Sequence, residues 1–156
     1  MKLVVLTTDP GRVDWLSRLT EEYTKKISHF VPFEIILVKT KDQSRSDRES
    51  KKRDDSQALL KKITEKDFVI LCDERGKSFD SITFSEKLLR AWESGKSRVV
   101  IVIGGPYGSS KELRERAQWG WKLSDLVFNH WIAQAVVCEQ LFRALTIWKN
   151  TPYHNE

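Results

Sequence analysis

Two cysteines in 156 residues, Cys72 and Cys138, with no CxxC pair and no histidine cluster, exclude a disulfide framework and leave no zinc-site spacing. No bound metal is expected. Nor does any run approach the ~20 apolar residues of a membrane span. The opening Met1-Lys2-Leu3-Val4-Val5-Leu6 turns polar at Thr7-Thr8-Asp9, too early for a secretory signal. Internal repeats and low-complexity tracts are also lacking. The expectation is a protein of the reducing cytoplasm. What is present suffices for one core: 40% of residues are hydrophobic, and a chain of this length buries roughly two-thirds of its unfolded surface.

The charge is basic and localised. Lys and Arg number 27 against 22 Asp and Glu, for a net +5. From Lys39 to Lys62 nine bases oppose five acids, so +4 of that excess lies in one loop and the helix after it. Such a segment is either a solvated face or a contact to nucleic-acid phosphates, where clustered cations gain affinity by releasing counterions.

Four apolar runs, Leu3–Leu6, Phe33–Val38, Phe68–Cys72 and Val99–Ile103, are mostly continuous rather than alternating, as in strands covered on both faces. Helical spacing separates them: Trp15, Leu16, Leu19, Tyr23 and Ile27; then Ala58, Leu59 and Ile63; then Phe84, Leu88, Leu89 and Trp92, with Thr83 and Glu86 as a capping box. The βαβαβαβ order predicts an α/β domain with a largely parallel sheet. Polar residues 39–56 read as the most mobile stretch. Leu126-Val127-Phe128 is a candidate fifth strand. A helix from about Trp131 to Trp148, apolar on almost every side, must be covered all round, either by a second subunit or within its own chain.

Three places could carry chemistry. Gly104-Gly105-Pro106-Tyr107-Gly108 follows a strand and precedes a helix, the position of ligand loops in parallel sheets, although a tight turn explains the glycines equally. It is neither a dinucleotide fingerprint nor a Walker motif, which counts against a nucleotide-dependent enzyme. Asp73-Glu74-Arg75-Gly76-Lys77 forms a second turn beyond a strand and could frame the same pocket; its carboxylates are candidate bases or simply solvated. His130 opens the apolar helix as a cap, packing residue or catalyst. Glu139 and Arg143, spaced i, i+4 on that helix, pair with each other or across an interface. Pro152-Tyr153-His154 reads by default as a frayed end.

Taken in order, Leu71-Cys72-Asp73-Glu74-Arg75-Gly76-Lys77, Ile103 to Gly108, Leu123 to His130, Glu139-Gln140-Leu141-Phe142-Arg143-Ala144 and Pro152-Tyr153-His154 resemble the bacterial 23S ribosomal RNA (pseudouridine-N3)-methyltransferases, a small SPOUT-class family. The similarity runs the whole length. It implies one SPOUT domain over 1–156, an α/β-knot whose C-terminal part, about 98–156, is threaded into a trefoil knot, a rare exception to ordinary connection rules. It also implies a homodimer with the last helix, including Glu139 and Arg143, in the interface. S-adenosylmethionine would be held at Cys72, Gly104, Leu123, Ser124, Asp125, Leu126, Val127 and Phe128, with His130, Tyr153 and His154 near the transferred methyl. The implied substrate is N3 of a pseudouridine in 23S rRNA of the assembled ribosome. Within the basic segment Arg45, Arg48, Lys51 and Lys52 are the expected RNA contacts. Two positions depart from the family: Gln134 and Asn155 stand where relatives commonly carry a cation. The competing reading is a non-catalytic RNA- or ribosome-binding module that kept the fold.

Overall fold

A computed structural model describes residues 1–40 and 47–154. Its elements are β1 (Lys2–Thr8), α1 (Asp14–Ser28), β2 (Phe33–Val38), α2 (Arg48–Leu60), β3 (Asp67–Lys77), α3 (Ser81–Trp92), β4 (Arg98–Ile103), α4 (Lys111–Arg116), β5 (Trp119–Trp121) and α5 (His130–Trp148). The strands form one sheet in the order β2-β1-β4-β3-β5, every neighbouring pair parallel. The α/β expectation therefore holds. No helix among the described residues is long and apolar enough to cross a membrane.

Why the apolar runs are continuous is visible in the two cores. Alternate strand residues face opposite sides, and both sides are covered. Leu3, Val5, Ile70, Val99 and Ile101 pack under α1, α3 and α5, whereas Val4, Leu6, Val69, Leu71, Val100 and Val102 pack with Leu59 of α2 and Leu113 of α4. The greasy helix α5 is covered from within its own chain on much of its surface. It lies against α1 and α3, and Ser85 Oγ donates to the Ala144 carbonyl at 2.7 Å. Ile132, on its first turn, is left exposed.

Four expectations change. The fifth strand is Trp119–Trp121; residues 126–128 form a loop in which Leu126 and Val127 are 75% and 91% exposed. Pairing to β3 decided this: Phe84 stacks on Trp121 at 4.0 Å between centroids and holds the strand down. The Asp73–Lys77 turn belongs to β3, which meets Trp121 twice, at Cys72 and again at Lys77 across an irregularity. Glycine permits this crossing, since a Cβ on Gly76 would lie 2.5 Å from the Gly120 carbonyl carbon. In the polar stretch 39–56, residues from Arg48 onward are helical, capped by Asp47, whose carboxylate accepts from the Ser50 amide at 3.0 Å. Finally, α3 begins one turn earlier than the Thr83/Glu86 box: Asp80 is its cap and accepts from the Thr83 amide at 2.7 Å.

Candidate active site

In a parallel sheet the ligand crevice lies beyond the strand ends where adjacent strands send their chains in opposite directions. Here β1 leads to β2 on one side, and β4 leads past β3 to β5 on the other. The crevice therefore opens above Thr7 and Thr8 of β1 and Ile103-Gly104 of β4, with Cys72 in register beside Ile103.

His130 is held at this point. Asn129 caps α5 by accepting from the Ile132 amide at 2.9 Å, which places His130 in the first turn. Its Nε2 lies 2.7 Å from Thr7 Oγ1, joining residues 123 apart in sequence. Burial lowers its pKa below the ordinary imidazole value, while the Thr8 carbonyl and the Asp55 carboxylate pull it upward. Burial outweighs these two groups and biases the ring toward its neutral form.

Asp55 is the second polar group, and nothing in the sequence singled it out. Its side chain is 1% exposed; Lys51 Nζ donates to Oδ1 at 2.8 Å and to Thr40 Oγ1 at 3.1 Å. The other oxygen, Oδ2, has no hydrogen-bond partner. It packs against Gly105, where any Cβ would overlap it. The glycine loop thus uses at least one glycine to accept a carboxylate beneath it. Next to it, Ser56 Oγ accepts from the Ser110 amide at 2.9 Å, tying α2 to the start of α4. Thr7 gave no more signal than Asp55, because a buried hydroxyl in an apolar strand acquires its meaning only from a partner far along the chain.

The loop between β5 and α5 forms the remaining wall. Leu123 and Phe128 are partly buried against the core, Leu126 donates its amide to Ser124 Oγ at 3.0 Å, and Lys122 pairs with Asp125. Between these anchors Leu126 and Val127 stand in solvent, two apolar side chains in want of a cover. Cys72 contributes no nucleophile, since burial and the neighbouring Asp73 carboxylate push its thiol pKa well above the ordinary value. Among the described residues no group of His, Cys, Asp or Glu could hold a metal.

The tail is fastened rather than frayed. Tyr153 donates to Glu139 Oε1 at 3.2 Å, packs edge-on against Phe142 and lies 4.9 Å from the Arg143 guanidinium. Arg143 pairs with Glu139 at 2.7 Å, and its Nη1 lies 3.2 Å from His154 Nδ1. Tyr23 of α1 joins the cluster; burial and its hydrogen bond with Tyr153 push its pKa up. The expected trio is therefore split. Arg143 follows His130 by thirteen residues of one helix, or roughly 20 Å at 1.5 Å per residue. Tyr153 and His154 sit at the far end of that distance within one chain.

Of the expected RNA contacts, Arg45 lies outside the described residues, as does Asn155. Arg48 is exposed, its guanidinium 5.6 Å from the centroid of Tyr107 in the glycine loop. Lys52 pairs with Glu49 at 2.9 Å, and Lys51 is turned inward onto Asp55. Gln134 is buried, with its Oε1 unpartnered.

Residues 1–154 match the family model described as predicted SPOUT methyltransferase. The chain is 42% identical over 155 residues to the ribosomal RNA large subunit methyltransferase H of Bdellovibrio bacteriovorus, covering 99% of both proteins. It is 38% identical over 144 residues to the protein of that name from Christiangramia forsetii, covering 90% of both. A methylase-family protein of Haemophilus influenzae, 14% identical, shares the fold with a TM-score of 0.54 over 95% of this chain and 66% of its own.

Proposed function

The chain belongs to the SPOUT methyltransferase family, and on that premise we propose that it transfers the methyl of S-adenosylmethionine to N3 of a pseudouridine in the 23S rRNA of the assembled ribosome, in the cytoplasm. The full-length similarity to proteins named ribosomal RNA large subunit methyltransferase H carries this reading. The family resemblance of the motifs supplies the base and the atom. The working unit is one domain over 1–156, knotted from about 98 onward.

Cys72, Gly104 and Leu123 to Phe128 would hold the cofactor. They suit it: they lie at the ends of adjacent strands and in the loop beyond β5, and the exposed Leu126 and Val127 offer apolar cover to an adenosine. When bound, S-adenosylmethionine supplies an electrophilic sulfonium methyl. The protein must then bring the nitrogen into line and take away its proton, work done mainly by positioning and a general base. His130 is the base in this reading, its ring oriented by Thr7 and biased toward the neutral form by burial. Tyr153 and His154 complete the pocket from a second copy of the chain. The separation of about 20 Å along α5 argues for that exchange, because no single chain presents all three groups to one atom. Glu139 and Arg143 then hold the tail at the dimer interface.

Ribosomes from a strain lacking the enzyme should accept labelled methyl, with the modified nucleotide mapped by mass spectrometry to N3 of a pseudouridine. Incorporation would exclude a binding-only module. A lack of heat or thermal shift with S-adenosylmethionine would overturn the catalytic reading. Mixing His130→Ala chains with Tyr153→Phe/His154→Ala chains should restore activity if the tail works in its partner's pocket.

A further inference from the structure

Beside the cofactor loops lies a second cleft, of about 370 Å³, at the edge of the sheet where β3 meets β5. The cleft straddles the sheet edge: its aromatic pair, Phe79 and Trp119, packs on the same core as Cys72. Cys72 faces the core under α1, α3 and α5, whereas its neighbour Leu71, which lines the cleft, faces the opposite core. The cleft combines two kinds of side chain. Phe79 and Trp119 form an edge-to-face pair with centroids 5.6 Å apart, and Lys87 Nζ lies 4.9 and 5.2 Å from their centroids. Arg75, Lys77 and Arg114 complete the basic lining, opposed by the single acid Asp73. Arg75, Lys77 and Lys87 make no ion pair among the described residues, while Arg114 donates to the Ser109 carbonyl and feels the Glu112 carboxylate. Backbone alone floors the crossing of Gly76 and Gly120, leaving room for a flat group.

We propose that this cleft binds a single-stranded RNA segment flanking the modified nucleotide, a base against Phe79 and Trp119 and its phosphates on Lys77, Lys87 and Arg114. Aromatic faces interleaved with unneutralised cations are the chemistry by which proteins hold single-stranded nucleic acid. Lys87 now covers the ring faces and can lift to a phosphate as a base takes its place. The assignment rests on the RNA methyltransferase reading and places a second hold on the substrate immediately behind the strand that carries Cys72.

The test is a titration of the ¹⁵N-labelled full-length protein with a short oligouridylate. The Trp119 indole N–H, assigned by its loss in Trp119→Phe, should shift on binding. In Lys77→Gln/Lys87→Gln the affinity should fall about tenfold and the salt slope by about 1.4, two phosphate contacts' worth. KM for ribosomes should rise in parallel while cofactor affinity by calorimetry stays unchanged. An unmoved Trp119 signal, or an unchanged KM and salt slope in a variant that still methylates, overturns the cleft and leaves the enzyme standing. Failure of the wild type to methylate any RNA overturns the enzyme reading, whereas a Trp119 shift would still report the cleft. Arg75→Gln, on the exposed end of β3, repeats the test without touching the aromatic pair.

Discussion

Two basic regions are the proposed RNA contacts, and they differ in what their charges are doing. The segment from Lys39 to Lys62 carries most of the sequence's positive excess, yet within its helix α2 Lys51 is spent on Asp55, Lys52 on Glu49, and Arg53 lies 3.9 Å from Asp54. The β3–β5 cleft holds four cations, as many as α2, and among the described residues none of them is in an ion pair. Charge counted along a chain is therefore a poor measure of charge available to a partner. Surface pairs such as Lys52–Glu49 contribute little to stability but still weaken the field that a phosphate feels. Arg48, 5.6 Å from the centroid of Tyr107, brings α2 to the glycine loop and has no ion pair among the described residues.

The largest effect that could break this contrast is structural. Lys51→Met leaves the Asp55 carboxylate buried without its cation, which should cost about 3–5 kcal/mol, a fall of roughly 10 °C in Tm by thermal unfolding. A variant as stable as the wild type that binds ribosomes more weakly would return Lys51 to the RNA face. Next, Lys77→Glu/Lys87→Glu should raise KM for ribosomes about a hundredfold, or ~2.7 kcal/mol, with stability within ~0.5 kcal/mol. By contrast, Arg48→Gln/Lys52→Gln should weaken ribosome binding about threefold and reduce the salt slope by about 0.7, one contact's worth. Equal losses from the two pairs would erase the distinction. The smallest effect sits between the regions, at His130. Its folded pKa is lowered, so the unfolded chain takes up the proton first as pH falls. The stability it contributes is complete above about pH 6.5 and is lost below that. His130→Asn should flatten the denaturation midpoint against pH in that acid window.

How much of this was legible follows from where side-chain burial leaves a periodic trace. β1 and β4 announced themselves because both faces are covered, β2 by its apolar composition although Leu37 is exposed, and α1 and α3 because one face is covered. α2 was half missed since its buried positions include Asp55 and Ser56 beside Leu59; a helix that buries an acid shows no apolar stripe. β5 was misplaced because Trp119-Gly120-Trp121 qualifies as a strand through its partner's geometry, while Leu126-Val127-Phe128 has strand composition and no strand to pair with. In the site, the glycine loop and Cys72 could be found from strand ends. Thr7 and Asp55 could not, since each is defined by a contact across the fold. The tail's anchoring needed the Tyr23–Phe142–Tyr153 cluster, which joins both ends of the chain.

The crossing of Gly76 and Gly120 bears on time as much as on shape. A three-residue strand has little cohesion of its own, yet Trp121 meets β3 at two points and Lys122 donates to the Lys77 carbonyl at 3.0 Å. Releasing it therefore requires the 73–77 segment to lift as well, and β5 cannot fray singly as an edge strand ordinarily does. In native-state hydrogen exchange the Lys122 amide should open only with the central strands, on the timescale of global unfolding. The shortest strand of the sheet would then be among the last to let go, and the loop leading from it to His130 would keep its shape through the enzyme's slower motions.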